Sequence, residues 1–505
     1  MTPQDLHSQV PDIKLLPGEK ITAIENPAVR AKKNHASSLQ ELYKLAQTTT
    51  YGHIGDHGPV LASLALDDTQ LNPHFHRYEA VYGRDSLRVA LDLLHSYPEL
   101  AHVTLQTLAG LQGVTTNSKN EEEPGRIVHE ARNPKIDPVA RELTKNRGWG
   151  WPYYGSVDAT LEYIRTFIAY CKDTKHGIHL LDETYIGRDD QQHTMLDSLQ
   201  AAVKWTTRRL DANPEGLLEY QASLPGGLEN QAWKDSWDSY SHADGSIANH
   251  HKGIASVEVQ CIAYDALLDV ASLYEDQLAM PRKAAALRKR ADNLKQQIMH
   301  RFWTNDRGGF FILGTDRTNA GKLRPLAIKT SNMGHLLHSR LLESDHAEIV
   351  RRREKLVRQL FAPSLLAASG IRTLANDEVR FRPGSYHNGS VWLWDTYLIS
   401  RGLEMHGYYH LARELQKRIL DVIKISGEFP EFANGDDAPK PHLNSRIVDI
   451  WDEYNNCTNR IEQPPQEVQA WTVAAVILIQ ENAHKKTPPI LGSFEKEMLD
   501  SLKVL

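Results

Sequence analysis

The chain has 505 residues, a formal net charge of −6, and 41% hydrophobic against 24% charged residues. These ordinary globular proportions exclude a disordered or fibrous chain, and the mild acidity gives no reason to expect nucleic acid or an anionic membrane as partner. No apolar run approaches the roughly eighteen residues of a membrane-spanning helix. The opening stretch MTPQDLHSQVPDIK lacks the apolar core of a secretory signal. Cys171, Cys261 and Cys457 have no metal-ligand spacing and leave one thiol over in any disulfide scheme, as expected in a reducing compartment. A soluble cytoplasmic protein is predicted.

Residues 1–33 are polar, hold four prolines and are predicted to be an extended lead-in. Residues 34–505 are predicted to be one domain. Helical periodicity begins in SSLQELYKLAQ, after His35, and the Gly- and His-rich loop YGHIGDHGP follows. A helix capped by Asp85 and a second from Val103 to Leu111 come next. Residues 113–155 have no apolar period and are predicted to be a loop-rich excursion, held in order by Trp149, Trp151, Tyr153 and Tyr154. Further helices are predicted at Asp158–Cys171, Met195–Leu210, Ser256–Tyr274, Pro281–Phe302, Ser331–Leu342, Ala347–Phe361, Gly389–His406, Tyr409–Ile425, Pro465–Asn482 and Gly492–Leu502. The segment NDRGGFFILGTD, residues 305–316, has the look of a β-hairpin, and residues 426–464 are predicted to be a long loop. Twelve to fourteen helices joined by alternating short and long links predict antiparallel pairs arranged in a ring. The long loops would gather at one end and line a cleft.

The stretch ENQAWKDSWDSYSHAD, residues 229–244, sets Asp235, Asp238 and Asp244 around Trp233 and Trp237. A carboxyl among indole rings has its pKa raised, and can stay protonated near neutral pH. Indole and phenol rings also stack on the flat C–H face of a pyranose. Acids and tryptophans together point to glycoside hydrolysis, although Asp235 and Asp238 can equally cap helices and the tryptophans can be core.

Seven blocks in a fixed order carry a family resemblance: YGRDSL, EEPGRIVHEAR, WPYYGSVDAT, NQAWKDSWDS, HNGSVWLWDT, FPEFANG and PQEVQAW. Over roughly residues 50–480 the chain resembles the amylo-α-1,6-glucosidase family, the glucosidase half of glycogen debranching enzymes, and its bacterial relatives. The resemblance implies an all-α (α/α)6 toroid and inverting hydrolysis of a glycosidic bond by two carboxyls. It places the acid on Asp235, with Asp238 as runner-up, and the base on Glu431, with Glu428 as competitor. Pro430 and the flanking Phe429 and Phe432 would hold that base rigidly.

Adjacent Arg84 and Asp85 can fork two neighbouring sugar hydroxyls. Glu130, Arg132, Lys234 and Asp158 are further candidates for polar contacts, as is Asp238. Trp149, Trp151, Tyr153, Tyr154, Trp392 and Trp394 are the stacking candidates, and Trp233 is a further substrate-binding candidate. Large aromatics are often plain core, and His387, at a predicted helix start, reads more readily as structural than catalytic.

No cofactor is expected. The H-x-x-x-H pairs His53/His57 and His406/His410 do not present two ligands on one helical face, and no Gly-rich phosphate loop is present. Carbohydrate is the expected partner. Only about eighty residues precede the first shared block, too few for the extra domains of debranching enzymes. A nearly bare toroid makes a short glycoside an alternative substrate, as for the compact hydrolases of glucosylglycerate and mannosylglycerate. A carbohydrate-binding protein without catalysis is the other alternative.

Overall fold

The computed structural model describes residues 61–64, 78–452, 455–483 and 491–502. The expected lead-in 1–33, the helix near residue 40 and the loop 51–59 lie outside them. Long helices dominate the part that positions the site. They are α1 (Gly83–Asp92), α2 (Pro98–Gly110), α3 (Pro138–Arg147), α4 (Ala159–Asp173), α5 (Met195–Ala212), α6 (Val257–Asp276) and α7 (Pro281–Arg301). After the single turn α8 (Asn332–His335) come α9 (Ala347–Leu360), α10 (Leu393–Met405) and α11 (Tyr409–Ser426). The last two are α12 (Ala470–Ala483) and α13 (Ser493–Leu502).

Six of these elements close a ring. Helix α1 packs on α4, α4 on α6, α6 on α8, α8 on α10, α10 on α12, and α12 returns to α1. Outer helices pair with this ring, most extensively α7 on α6 and α11 on α10. The architecture is the (α/α)6 toroid. Burial explains the division of labour. Inner helix α10 buries Leu393 to Ser400 without a break, whereas outer α11 has a one-sided stripe of Leu411, Leu415, Ile419, Val422 and Ile423. A helix enclosed all round needs apolar or satisfied side chains on every face, and an outer one only on its inward stripe.

Paired dipeptide strands precede several inner helices. Val81–Tyr82 pairs with Glu130–Ala131 before α1, and Val391–Trp392 pairs with Phe432–Ala433 before α10. Val468–Gln469, before α12, pairs with Ser63–Leu64 and so ties the last inner helix to a segment about four hundred residues earlier in sequence. The N-terminal ends of α1, α10 and α12 border one central cavity, α10 through its N-cap Trp392. Their N–H ends carry positive dipole charge, which favours carboxylates there.

Several expectations change. Asp85 lies inside the first turn of α1, whose N-cap is Tyr82, so it is not a cap. Residues 231–240 form turns with no helix, so Asp235 and Asp238 cap nothing. The expected excursion 113–155 contains α3. The helix expected at 331–342 is one α turn and two 3-10 turns, broken where Ser339 is extended at φ −112°, ψ 146°. The expected hairpin near 305–316 is two pairings, Trp303–Thr304 with Phe310–Phe311 and Gly314–Arg317 with Leu323–Leu326. A further hairpin, Val448–Asp452 with Cys457–Glu462, occupies the expected loop. The three cysteines are unpaired. Among the described residues no helix is long and apolar enough to cross a membrane.

Candidate active site

The cavity at the mouth of the ring is lined by Asp85, Asp235 and Glu431, together with Arg84, Glu130 and a set of aromatic and histidine side chains. Arg84 is its electrostatic centre. Its guanidinium donates to Asp158 at 3.3 Å and to Asp235 at 3.2 Å, and stands 3.6 Å from Asp85. Burial opposes the charge of Arg84, but Asp158, Asp85 and Asp235 outweigh it and keep the side chain firmly cationic. The Asp235 side chain keeps 23% of its surface exposed. Burial pushes its pKa up to about 6, against the pull of Arg84. Asp85 is pushed up to about 7, again by burial first.

Glu431 is held from both sides. Phe429 bridges to Val468, and the Thr472 hydroxyl in the first turn of α12 donates to the Pro430 carbonyl at 2.9 Å. Phe432 then pairs with Trp392 at the entry to α10. The Glu431 carboxyl accepts from the Tyr386 hydroxyl and, at 3.3 Å, from the Gln466 N–H. Burial raises it to about 8, helped by the charges of Asp85 and Asp235 and resisted by those two hydrogen bonds.

The aromatic wall is continuous. Trp233 meets Trp392 edge-on at 5.8 Å, His387 at 5.4 Å and Trp394 at 5.2 Å, while Trp394 stacks on Trp471 at 4.8 Å. His387 accepts from the Ser236 backbone N–H through Nδ1. A backbone amide can only donate, so the imidazole carries its proton on Nε2. Burial, then Lys234 and Arg84, hold it neutral. Asp85 Oδ2 and the Nε1 atoms of Trp233 and Trp471 are buried without a hydrogen-bond partner. All three belong to cavity-lining residues, so a polyhydroxylated ligand would satisfy groups that are costly to leave bare.

Toward solvent the wall is built by Val139, Leu143 and Arg147 of α3, with Trp149 and Leu228. Asp137 caps α3 by accepting from Val139 and Ala140, Pro138 occupies its first position, and Gly148 ends it at φ 73°. Arg147 lies 5.9 Å over the Trp149 ring and 3.5 Å from Glu229. Among the described cavity-lining residues, Arg84 and Arg147 are the two permanent cations, and Arg84 is already neutralised by three carboxyls.

Of the site residues expected from sequence, Arg84, Asp85, Glu130, Trp149, Trp233, Asp235, Trp392 and Glu431 converge on this cavity. The others do not line it. Arg132 is buried in ion pairs with Glu130 and Asp137. Trp151 lines a separate outer hollow and donates to Thr144. Tyr153 stacks on Trp149 at 3.8 Å and hydrogen-bonds Glu121, and Tyr154 donates to the Leu111 carbonyl. Asp158 stands behind Arg84. Lys234 is fully buried and donates to the Thr373 carbonyl at 3.0 Å. Asp238 accepts from Asn388 and Asn459, both at 2.8 Å. Sequence reasoning missed Tyr82, His129, Tyr386 and Trp471 as lining residues, and missed the α3 wall, although Asp137–Pro138 and Gly148 are start and stop signals of a helix.

A toroid whose central cavity carries acids among indole rings defines a glycoside hydrolase. The chain belongs to the family of the mannosylglycerate hydrolase MGH1-like glycoside hydrolase domain, whose model matches residues 85–438. Its fold is similar to that of the GH63 mannosylglycerate hydrolase from Thermus thermophilus in complex with Tris and D-glycerate. That likeness has a TM-score of 0.57 at 14% identity and covers 87% of this chain and 100% of the other. A bacterial glucoamylase complexed with acarbose is similar at a TM-score of 0.52 and 14% identity, over 92% of this chain and 58% of the other. No curated protein sequence matches the chain.

Proposed function

We propose that this protein is an inverting hydrolase of a short α-glycoside whose aglycone is a small hydroxy acid, of the glycosylglycerate type. Asp235 is its acid and Glu431 its base. The observation that carries this reading is the convergence of those two carboxyls, from loops almost two hundred residues apart, on one cavity with an aromatic floor. Asp235 gives its proton to the leaving glycosidic oxygen as the anomeric C–O bond breaks. Glu431 takes a proton from the water that forms the new C–O bond on the opposite face, so the anomer inverts. Asp85 and Arg84 hold hydroxyls of the cleaved sugar, and Arg147 faces the carboxylate of the aglycone. Family membership supports a glycosylglycerate over the debranching substrate that the sequence blocks suggest.

The test is release of free sugar from mannosylglycerate, glucosylglycerate, isomaltose, panose, kojibiose and a branched limit dextrin, with proton NMR of the first-formed anomer. We expect β-sugar from a glycosylglycerate, and a loss of about 10³-fold in Asp235→Asn, within the usual range for removing a general acid. Preference for isomaltose or panose would restore the debranching reading. Retention of the anomer would refute the roles given to both carboxyls.

A further inference from the structure

Lys234 precedes Asp235, and Arg372 is a further cation enclosed near the site, in addition to Arg84. Lys234 is 0% and Arg372 1% exposed. Taking each charge out of water is costly, so both are expensive relative to an apolar pair of the same size. Neither reaches the cavity. Arg372 instead grips the backbone just beyond Glu431 and pairs with Asp437, while Lys234, itself adjacent to Asp235, reaches the Thr373 carbonyl.

Arg372 donates to the Asp436 carbonyl at 2.9 Å and to the Gly435 carbonyl at 2.5 Å, just beyond Glu431 in FPEFANGDD. Its other amine anchors on the Pro363 carbonyl at 2.6 Å. Thr373, the next residue, accepts Lys234 Nζ on its own carbonyl. Burial lowers the pKa of Lys234 to about 8, against the pull of Glu258, Asp395 and Asp238. It is therefore still a cation at neutral pH, and the hydrogen bond is charge-assisted. Backbone pairing fixes the span between the two grips. Arg372 bridges to Val391, Thr373 N–H donates to the Ser390 carbonyl at 2.9 Å, and Val391 pairs with Ala433. One dipeptide thus reaches the acid loop through Thr373 and the base loop through Arg372.

We propose that Arg372 and Thr373 form a bracket that sets the separation of the Asp235 and Glu431 carboxyls, with Lys234 as its tether on the acid side. These are positioning residues, and the inference rests on the roles proposed for the two carboxyls. An inverting site needs a separation that admits one water, and misplacement by about 1 Å costs on the order of 10²-fold.

The test compares wild type with Lys234→Met, Arg372→Lys and Arg372→Met, measuring kcat, KM, thermal unfolding, and the Asp235–Glu431 separation in crystal structures. We expect Lys234→Met and Arg372→Met each to lower kcat at least about 10-fold with KM within about 3-fold, at temperatures where both are folded. Arg372→Lys keeps the charge without the fork and should fall between. The double variant should lose less than the product of the two single losses, because both loosen one device. Wild-type kcat per folded molecule, with only a lower Tm, would overturn the bracket. So would an unchanged carboxyl separation in Lys234→Met, which stays decisive if Arg372→Met does not fold. A wild type that hydrolyses nothing in the panel sinks the functional reading instead, and the crystallographic separation then decides the bracket by itself.

Discussion

Tyr386→Phe removes one hydroxyl and tests the charge logic of the whole cavity. With Glu431 raised to about 8 and Asp235 to about 6, a single proton shared by the pair sits mostly on Glu431. The proposed chemistry needs the reverse arrangement, which is the minor one of the two. The Tyr386 hydroxyl favours the ionised Glu431, and a hydrogen bond to a charged group contributes about 1.5–3 kcal/mol. At about 1.36 kcal/mol per unit, its loss raises Glu431 by about one to two units. The productive fraction then falls about 10- to 100-fold. A pH series of kcat/KM, which reports the free enzyme, should show that drop at the optimum. The alkaline limb should move up by the same one to two units, and the acidic limb, set by Asp235, should stay in place. An acidic limb that moves instead, or a profile like wild type, would refute this account of where the proton resides.

Three further outcomes follow from other parts of the site. Arg147→Ala should raise KM roughly 5-fold for a glycoside with an acidic aglycone, the worth of about 1 kcal/mol for a partly exposed ion pair, and leave a neutral-aglycone analogue within about 2-fold. Gly435→Ala would put a Cβ 1.8 Å from the Gly389 carbonyl oxygen. Backbone cannot rotate away, so it should cost about 3 kcal/mol in denaturant unfolding and lower kcat as the Glu431 loop shifts. Trp151→Ala, outside the cavity, should leave kcat/KM within about 2-fold in the same assay that reads Arg147→Ala.

The outer helices were legible because one-sided burial imposes a 3.6-residue period, and the inner ones because their apolar runs are too long for strands. Predicted and observed bounds of α4, α6, α7 and α11 differ by only a residue or two. The dipeptide strands were not legible, since two residues carry no alternation. The hairpin 448–462 was hidden for a related reason. Ile450 and Trp451 are exposed and its remaining positions are largely polar, so no apolar face marks it as sheet. For the site, Arg84, Asp85, Asp235 and Glu431 stood out by chemistry and block order. Tyr153, Tyr154 and Lys234 have the same side-chain types as sugar-binding residues, yet their polar ends are spent on Glu121, Leu111 and Thr373. Composition cannot separate those uses. Tyr386 could have been suspected next to His387, but nothing local tells that its hydroxyl reaches a carboxylate forty-five positions later.

Packing of α12 on α1 closes the ring, Ser63 pairs with Gln469 just before α12, and Trp471, just beyond, is part of the cavity floor. On the ribosome, therefore, the cavity is incomplete until Trp471 has emerged. Until then the indoles of the floor have no final partners. Such long-range closure is slow, and surface of this kind is sticky while it waits. In refolding, far-ultraviolet helix signal should return well before hydrolysis does, and the interval between them measures the time the toroid takes to shut.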